Sequence, residues 1–155
     1  MSPEGLALNS ELFNAKIPVD GYRNALGTPS QTIEAGGPAP AGHRNNQVHV
    51  FDDVGVYLTE HHATQLIESV NFVLDASESL FPLDQAFNGS LTVLDMALDA
   101  KTKEEELSSL FQRDLPGDYS VAAGKCWVSI NAVGRRTPSG KRSKPRYVVS
   151  VSVCF

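Results

Sequence analysis

The stretch from Gly42 to Leu74, GHRNNQVHVFDDVGVYLTEHHATQLIESVNFVL, spells three consecutive antiparallel strands together with the turns between them. Val48 to Phe51 is β-branched and aromatic around His49, Asp52-Asp53-Val54-Gly55 supplies turn chemistry, and Val56 to Thr59 resumes extended content. A second break at His61 to Thr64 returns the chain into Leu66 to Leu74, where Ile67, Val70, Phe72 and Leu74 are the expected buried positions. A meander of this kind commits the chain to a sheet and leaves the covering layer to be found elsewhere.

Self-similarity supplies that layer. Leu6 to Gly27 can be laid without a gap on Leu91 to Gln112 at an offset of 85, so that Leu6 falls on Leu91, Phe13 on Leu98, Tyr22 on Leu107 and Leu26 on Phe111. Each copy reads as a strand, a break and a short helix, with apolar residues at helical spacing at Tyr22, Ala25 and Leu26 and at Leu107, Leu110 and Phe111. Gly27-Thr28-Pro29 is a stop signal for the first helix, and Thr102 with Glu105 at capping-box spacing is a start signal for the second. Ser69 to Val73 parallels Ser150 to Cys154 at an offset of 81, and Val48 to Leu58 has a loose counterpart in Cys126 to Val133. The expected architecture is one compact α+β domain over residues 1–155, with internal repeats at 6–75 and 90–155. Each repeat would be a strand, a helix and an antiparallel meander, with the helices on one face of a shared sheet.

Two loops interrupt this scheme. Gly36 to Gly42, rich in Gly and Pro, is expected to be an exposed, stiff excursion. Gly134 to Pro145 joins Cys126 to Val133 and Tyr147 to Phe155 and is long for a hairpin connection, which marks it for function. The final strand alternates closely enough to be half-buried, and its order should contribute to stability.

The net charge of −5 conceals a division. All 18 acidic residues precede Arg135, while the segment from there onward carries Arg135, Arg136, Lys141, Arg142, Lys144 and Arg146 with no acid. An acidic body with one basic loop argues against nucleic-acid binding and fits a protein partner of complementary potential. No apolar run is long enough to span a membrane and the N-terminus has no signal-peptide pattern, so the expectation is a cytoplasmic chain. Cys126 and Cys154 lie in apolar strand-like runs and read as small buried hydrophobes, with pairing left open if their strands are neighbours.

Chemical signatures are sparse. His49, His61 and Glu60 would converge on a metal only in a favourable register, whereas adjacent His61 and His62 point to opposite faces in a strand. No metal or other cofactor is expected. Asp52 and Asp53 serve the turn first, and neither a nucleophile elbow nor a phosphate-binding loop is present. The chain is therefore read as a non-enzyme without catalytic residues.

Leu26-Gly27-Thr28-Pro29 after a short helix, followed by a meander with the turn Phe51-Asp52-Asp53-Val54-Gly55-Val56, resembles the repeat of β-lactamase inhibitor proteins and of small outer-membrane assembly lipoproteins. Phe111-Gln112 replaces Leu-Gly in the second half. Tyr22 to Ser30, Gly42 to Asn46 and the end of the meander at Glu60-His61-His62 look like bacterial immunity proteins of type VI secretion or contact-dependent toxin systems. The resemblance implies a protein that binds and occludes a cognate toxin. The alternative it allows is an envelope-assembly scaffold of the same fold. The expected contacts are Asp52, Asp53, Glu60, His61 and His62 on the meander, with Arg135, Arg136, Lys141 and Arg142 as a second region. Neither the toxin's identity nor the oligomeric state follows from the sequence.

Overall fold

The β-branched alternation of the meanders sets the architecture in the computed structural model, which describes residues 6–8, 11–13, 15–35, 45–79, 81, 83–107, 110–136, 139 and 141–155. The first half opens with a hairpin of β1 (Leu6–Leu8) and β2 (Glu11–Phe13), then a 3-10 turn at Val19–Tyr22 running into α1 (Arg23–Leu26). It continues as β3 (Gln31–Ala35), β4 (Asn46–Phe51), β5 (Val56–Glu60) and β6 (Ile67–Val73). After an irregular linker the same order recurs: hairpin β7 (Leu91–Val93) and β8 (Met96–Leu98), then α2 (Glu104–Leu107). Strands β9 (Gln112–Leu115), β10 (Asp118–Ala123), β11 (Cys126–Arg136) and β12 (Arg142–Cys154) complete it. The two hairpins share one register, Leu6 opposite Phe13 and Leu91 opposite Leu98.

Both meanders belong to a single antiparallel sheet of order β3-β4-β5-β6-β12-β11-β10-β9. This overturns the α+β expectation, because the protein is mostly antiparallel β and has no helical layer among its described residues. Each segment with helical periodicity holds one α-turn of four residues, below the length at which a helix stands on its own propensity. Each expected single strand before those turns is instead a hairpin. The cap also moves by one residue. Glu106, not Glu105, accepts the Lys103 N–H at 2.8 Å, while the Thr102 hydroxyl accepts the Asp99 N–H.

Alternation along the strands divides the sheet into two unlike faces. Phe51, Val56, Leu58, Val70, Phe72, Val128, Ile130, Val151 and Val153 point to one side, where Leu6, Phe13, Tyr22, Leu91, Val93, Leu98, Leu107 and Phe111 of the hairpins and turns cover them. Tyr22 stacks on Phe13 with centroids 4.4 Å apart. In the second half, Glu104 joins α2 to the sheet by accepting from Tyr119 Oη at 2.9 Å and Arg146 Nη1 at 3.2 Å.

Two other expectations change. The basic segment is largely strand: Gly134 lies opposite Arg146 and Arg136 opposite Arg142, with register shifts after Asn131 and Gly134. Cross-strand pairing therefore carries the backbone through a Gly/Pro/Arg-rich sequence that reads locally as loop. Cys126 and Cys154 are free. Cys154 lies opposite Trp127, so its neighbour Cys126 faces the other side of the sheet and the two thiols do not pair. The excursion expected at Gly36 to Gly42 lies outside the described residues. No helix among those described is long and apolar enough to cross a membrane.

Gly55 ends the β4–β5 turn at φ 66°, and a Cβ there would fall on the backbone of Ala86 and Phe87 in the linker. Gly55→Ala is expected to destabilise the protein by about 2–3 kcal/mol in chemical denaturation. Burial alone would raise the Glu104 pKa, but the Tyr119 hydroxyl and the Arg146 and Arg113 charges outweigh it and hold the carboxyl below 4.5. A depressed carboxyl stabilises the fold above its unfolded pKa, and that contribution fades as pH falls through the folded value. Glu104→Gln should be less stable than the parent near neutrality. The gap should narrow below pH 4.5, as thermal melts across pH would show.

Candidate functional site

The second face of the sheet carries small polar side chains in cross-strand rows. Thr59, Ser69, Cys154, Trp127 and Ala122 form one row, and Tyr57, Asn71, Ser152, Ser129 and Ser120 the next. Val73, Ser150, Asn131 and Asp118 form a third. Toward the β3 edge the face turns apolar and closed at Val48 and Val50. The open portion therefore spans β5 to β9.

Hydrogen bonds organise its centre. Ser152 Oγ donates to Asn71 Oδ1 at 2.6 Å, and Asn71 Nδ2 donates to the Tyr57 carbonyl at 3.3 Å and to Ser69 Oγ at 3.1 Å. Asn131 Nδ2 donates to Asp118 Oδ1 at 2.8 Å. These bonds hold a buried Asn71 and half-buried Ser69 and Ser152 in place, and keep the exposed Asn131 fixed on a rigid backbone. The hydroxyl of Ser120 is buried and has no partner among the described residues.

Each end of this face has its own chemistry. At one end Trp127 is 48 % exposed. At the other, the linker crosses the sheet and leaves a cleft of about 400 Å³ bounded by Ser77, Glu78, Asn131, Arg142 and Ser150. Arg142 Nη2 donates to Glu78 Oε2 at 2.8 Å across it. Tyr57 lines the cleft and meets Phe81 edge-on at 5.0 Å, and burial raises its phenol pKa.

The residues expected at a contact surface are not one patch. Asp52 and Asp53 form a 3-10 turn at the cleft end, where Asp52 Oδ2 accepts from Ser30 Oγ at 2.8 Å and the Asp53 carbonyl accepts from Gln85. Asp52 therefore ties the turn to the start of β3, and the Asp53 side chain is exposed. His61 and His62 occupy the β5–β6 turn at the opposite end, their rings 4.6 Å apart. His62 also bonds Asn46 Oδ1 through both its backbone and ring nitrogens.

Glu60 belongs to the core side. Its carboxylate lies 3.0 Å from His49 Nε2, and His49 Nδ1 lies 3.1 Å from Thr32 Oγ1. His49 and Glu60 do meet, but His61 instead accepts from the Ala63 N–H through Nδ1. No group of three or more metal-ligating side chains gathers among the described residues. Arg142 reaches the cleft, Lys141 is exposed beside it, and the backbones of Arg135 and Arg136 end β11, while those two side chains lie outside what is described. Trp127 and the Ser/Asn rows were missed in the sequence. The alternation of Cys126, Val128 and Ile130 with Trp127, Ser129 and Asn131 carried the signal.

A family model described as "Domain of unknown function (DUF7738)" matches residues 1–108. No curated protein matches the chain. A cysteine-rich secretory protein from Staphylococcus aureus subsp. aureus Mu50 is similar in structure over 99% of this chain, at 13% identity and a TM-score of 0.43. The chain spans about half of that protein, 48% of its length, and a likeness at this level carries no argument.

Removing the Glu60 carboxylate would leave a buried imidazole nitrogen without its partner. Glu60→Ala should therefore cost about 1–3 kcal/mol in urea denaturation. His62→Ala, at an exposed turn, should cost about 1 kcal/mol or less.

Proposed function

We propose that this chain, which belongs to the DUF7738 family, is a non-catalytic inhibitor that binds a cognate bacterial toxin in the cytoplasm and occludes it, as an immunity protein does. The observation that carries this reading is the unlike pair of sheet faces. One is sealed by hairpins and one-turn helices, while the other carries half-buried Ser side chains and an exposed Asn131 and ends in an exposed indole. A large aromatic beside small polar groups suits a contact in which one or two anchors supply most of the binding energy and polar neighbours set orientation.

Size indicates which further residues take part. Six strands spaced about 4.8 Å apart, each crossed over roughly 17 Å, give a footprint of roughly 400 Å². Stable complexes bury about 800 Å² per partner. The flanking turns are therefore part of the proposed interface: His61 and His62 at the Trp127 end, Asp53 and the basic hairpin at the cleft end. Occlusion needs no bond-making step, and the divided charge gives the partner a defined orientation during encounter.

Co-expression with the product of the adjacent gene tests the reading. A stable complex and rescue of cells from that product are expected. Trp127→Ala should weaken the complex by about thirtyfold, the equivalent of ~2 kcal/mol, with little change in melting temperature because the side chain is half exposed. Unchanged affinity would remove the open face from the interface, and absence of both complex and rescue would end the immunity reading.

A further inference from the structure

Among the described residues lining the cleft, one cation, Arg142, and one carboxylate, Glu78, stand on opposite walls. One wall is the β11–β12 ribbon, drawn from the segment that holds six cations and no acid beyond residue 134. Facing it is the linker between β6 and β7, which carries Asp75, Glu78 and Asp84 and neither Lys nor Arg. The walls meet where Arg142 Nη2 donates to Glu78 Oε2 at 2.8 Å, while Nη1 donates to the Gly134 carbonyl at 3.2 Å. Arg146 turns instead to Glu104 on the core side.

We infer that the ribbon around Arg142 is a docking site for an acidic peptide segment of the partner, occupied in cis by Glu78. This rests on the protein-binding reading above and names the chemistry of the partner at that end of the face. A guanidinium held by one bond to its own ribbon retains donors for a carboxylate and matches its fork geometry. Below it, the hydroxyls of Ser77, Ser79 and Ser150 and the amide of Asn131 line the cleft. Neutral donors and acceptors of this kind complement a peptide backbone. A nucleic acid fits less well. The aromatic ring lining the cleft, Tyr57, is already engaged with Phe81 and is not available to stack a base.

The cis contact is suited to displacement. The Arg142 side chain is 41% exposed, and a partly exposed ion pair shifts an equilibrium by about fivefold or less. A segment with several carboxylates can meet the exposed Lys141 and Lys144 of the same ribbon as well as Arg142, and so competes with a single Glu78.

Fluorescence anisotropy of a labelled hexaglutamate peptide at low salt tests the site on the full chain. Glu78→Gln should bind about three- to fivefold tighter than the parent and Arg142→Gln at least as many times weaker. Combining Glu78→Arg with Arg142→Glu restores the bridge with its sense reversed. That protein should melt like the parent, lose hexaglutamate and take up hexalysine. Unchanged or weaker binding by Glu78→Gln would overturn the proposal, as would tighter binding of a single-stranded oligonucleotide of equal charge. Trp127→Ala should leave hexaglutamate binding unchanged, so failure of the open-face reading and failure of this one are separately visible.

Discussion

The pairing of β6 with β12 is the contact on which the rest of the sheet depends, because it is where the two meanders become one structure. Asn71 lies opposite Ser152, and the bond between their side chains is 2.6 Å long. On one side of this seam Val70 and Phe72 meet Val153 and Val151, all fully buried. A slip of one residue would turn those apolar side chains onto the open face and the serines into the core. The Asn71 amide is only 5% exposed, yet both of its ends are satisfied. The polar row therefore fixes the register that the apolar rows stabilise.

Legibility followed the range of the interactions. The strands around Val48, Val56 and Val70 could be read because their alternation and turns are local, and the predicted buried set of Ile67, Val70, Phe72 and Leu74 is buried. The helices were over-read because three apolar residues at helical spacing suffice for one turn. Leu110, counted as part of that stripe, is in fact exposed. The ribbon was under-read for the opposite reason. Gly134, Arg135 and Pro145 disfavour a strand locally, and only pairing between residues near 134 and 146 reveals one.

The candidate face illustrates the same limit. A lone Trp in a run such as Cys126-Trp127-Val128 invites assignment to the core. Its outward direction follows from Cys126, Val128 and Ile130 all pointing inward. Glu60 misled in the other sense, since a carboxylate at a strand end looks exposed until the β4–β5 register sets it beside His49. Charge and exposure are separable only after pairing is known, and pairing across strands is non-local information.

Equivalent positions in the two halves carry different structures, and the difference gives the open face a direction. The β5–β6 turn, with His61 and His62, corresponds in element order to the tip between β11 and β12. Because β6 and β12 run antiparallel, these two positions fall at opposite ends of the sheet. The first half keeps short strands of five and seven residues there, and the second extends to eleven and thirteen. That extra length is the basic ribbon, and it reaches the linker only because antiparallel pairing brings the end of β6 alongside the middle of β12. An indole end and a charged end thus lie on one rigid surface, separated by hydroxyl rows that neither attract nor repel a charge strongly. A partner with an apolar patch at one end and carboxylates at the other can satisfy both ends in one orientation, and reversing it would bury the charge against Trp127 at a desolvation cost.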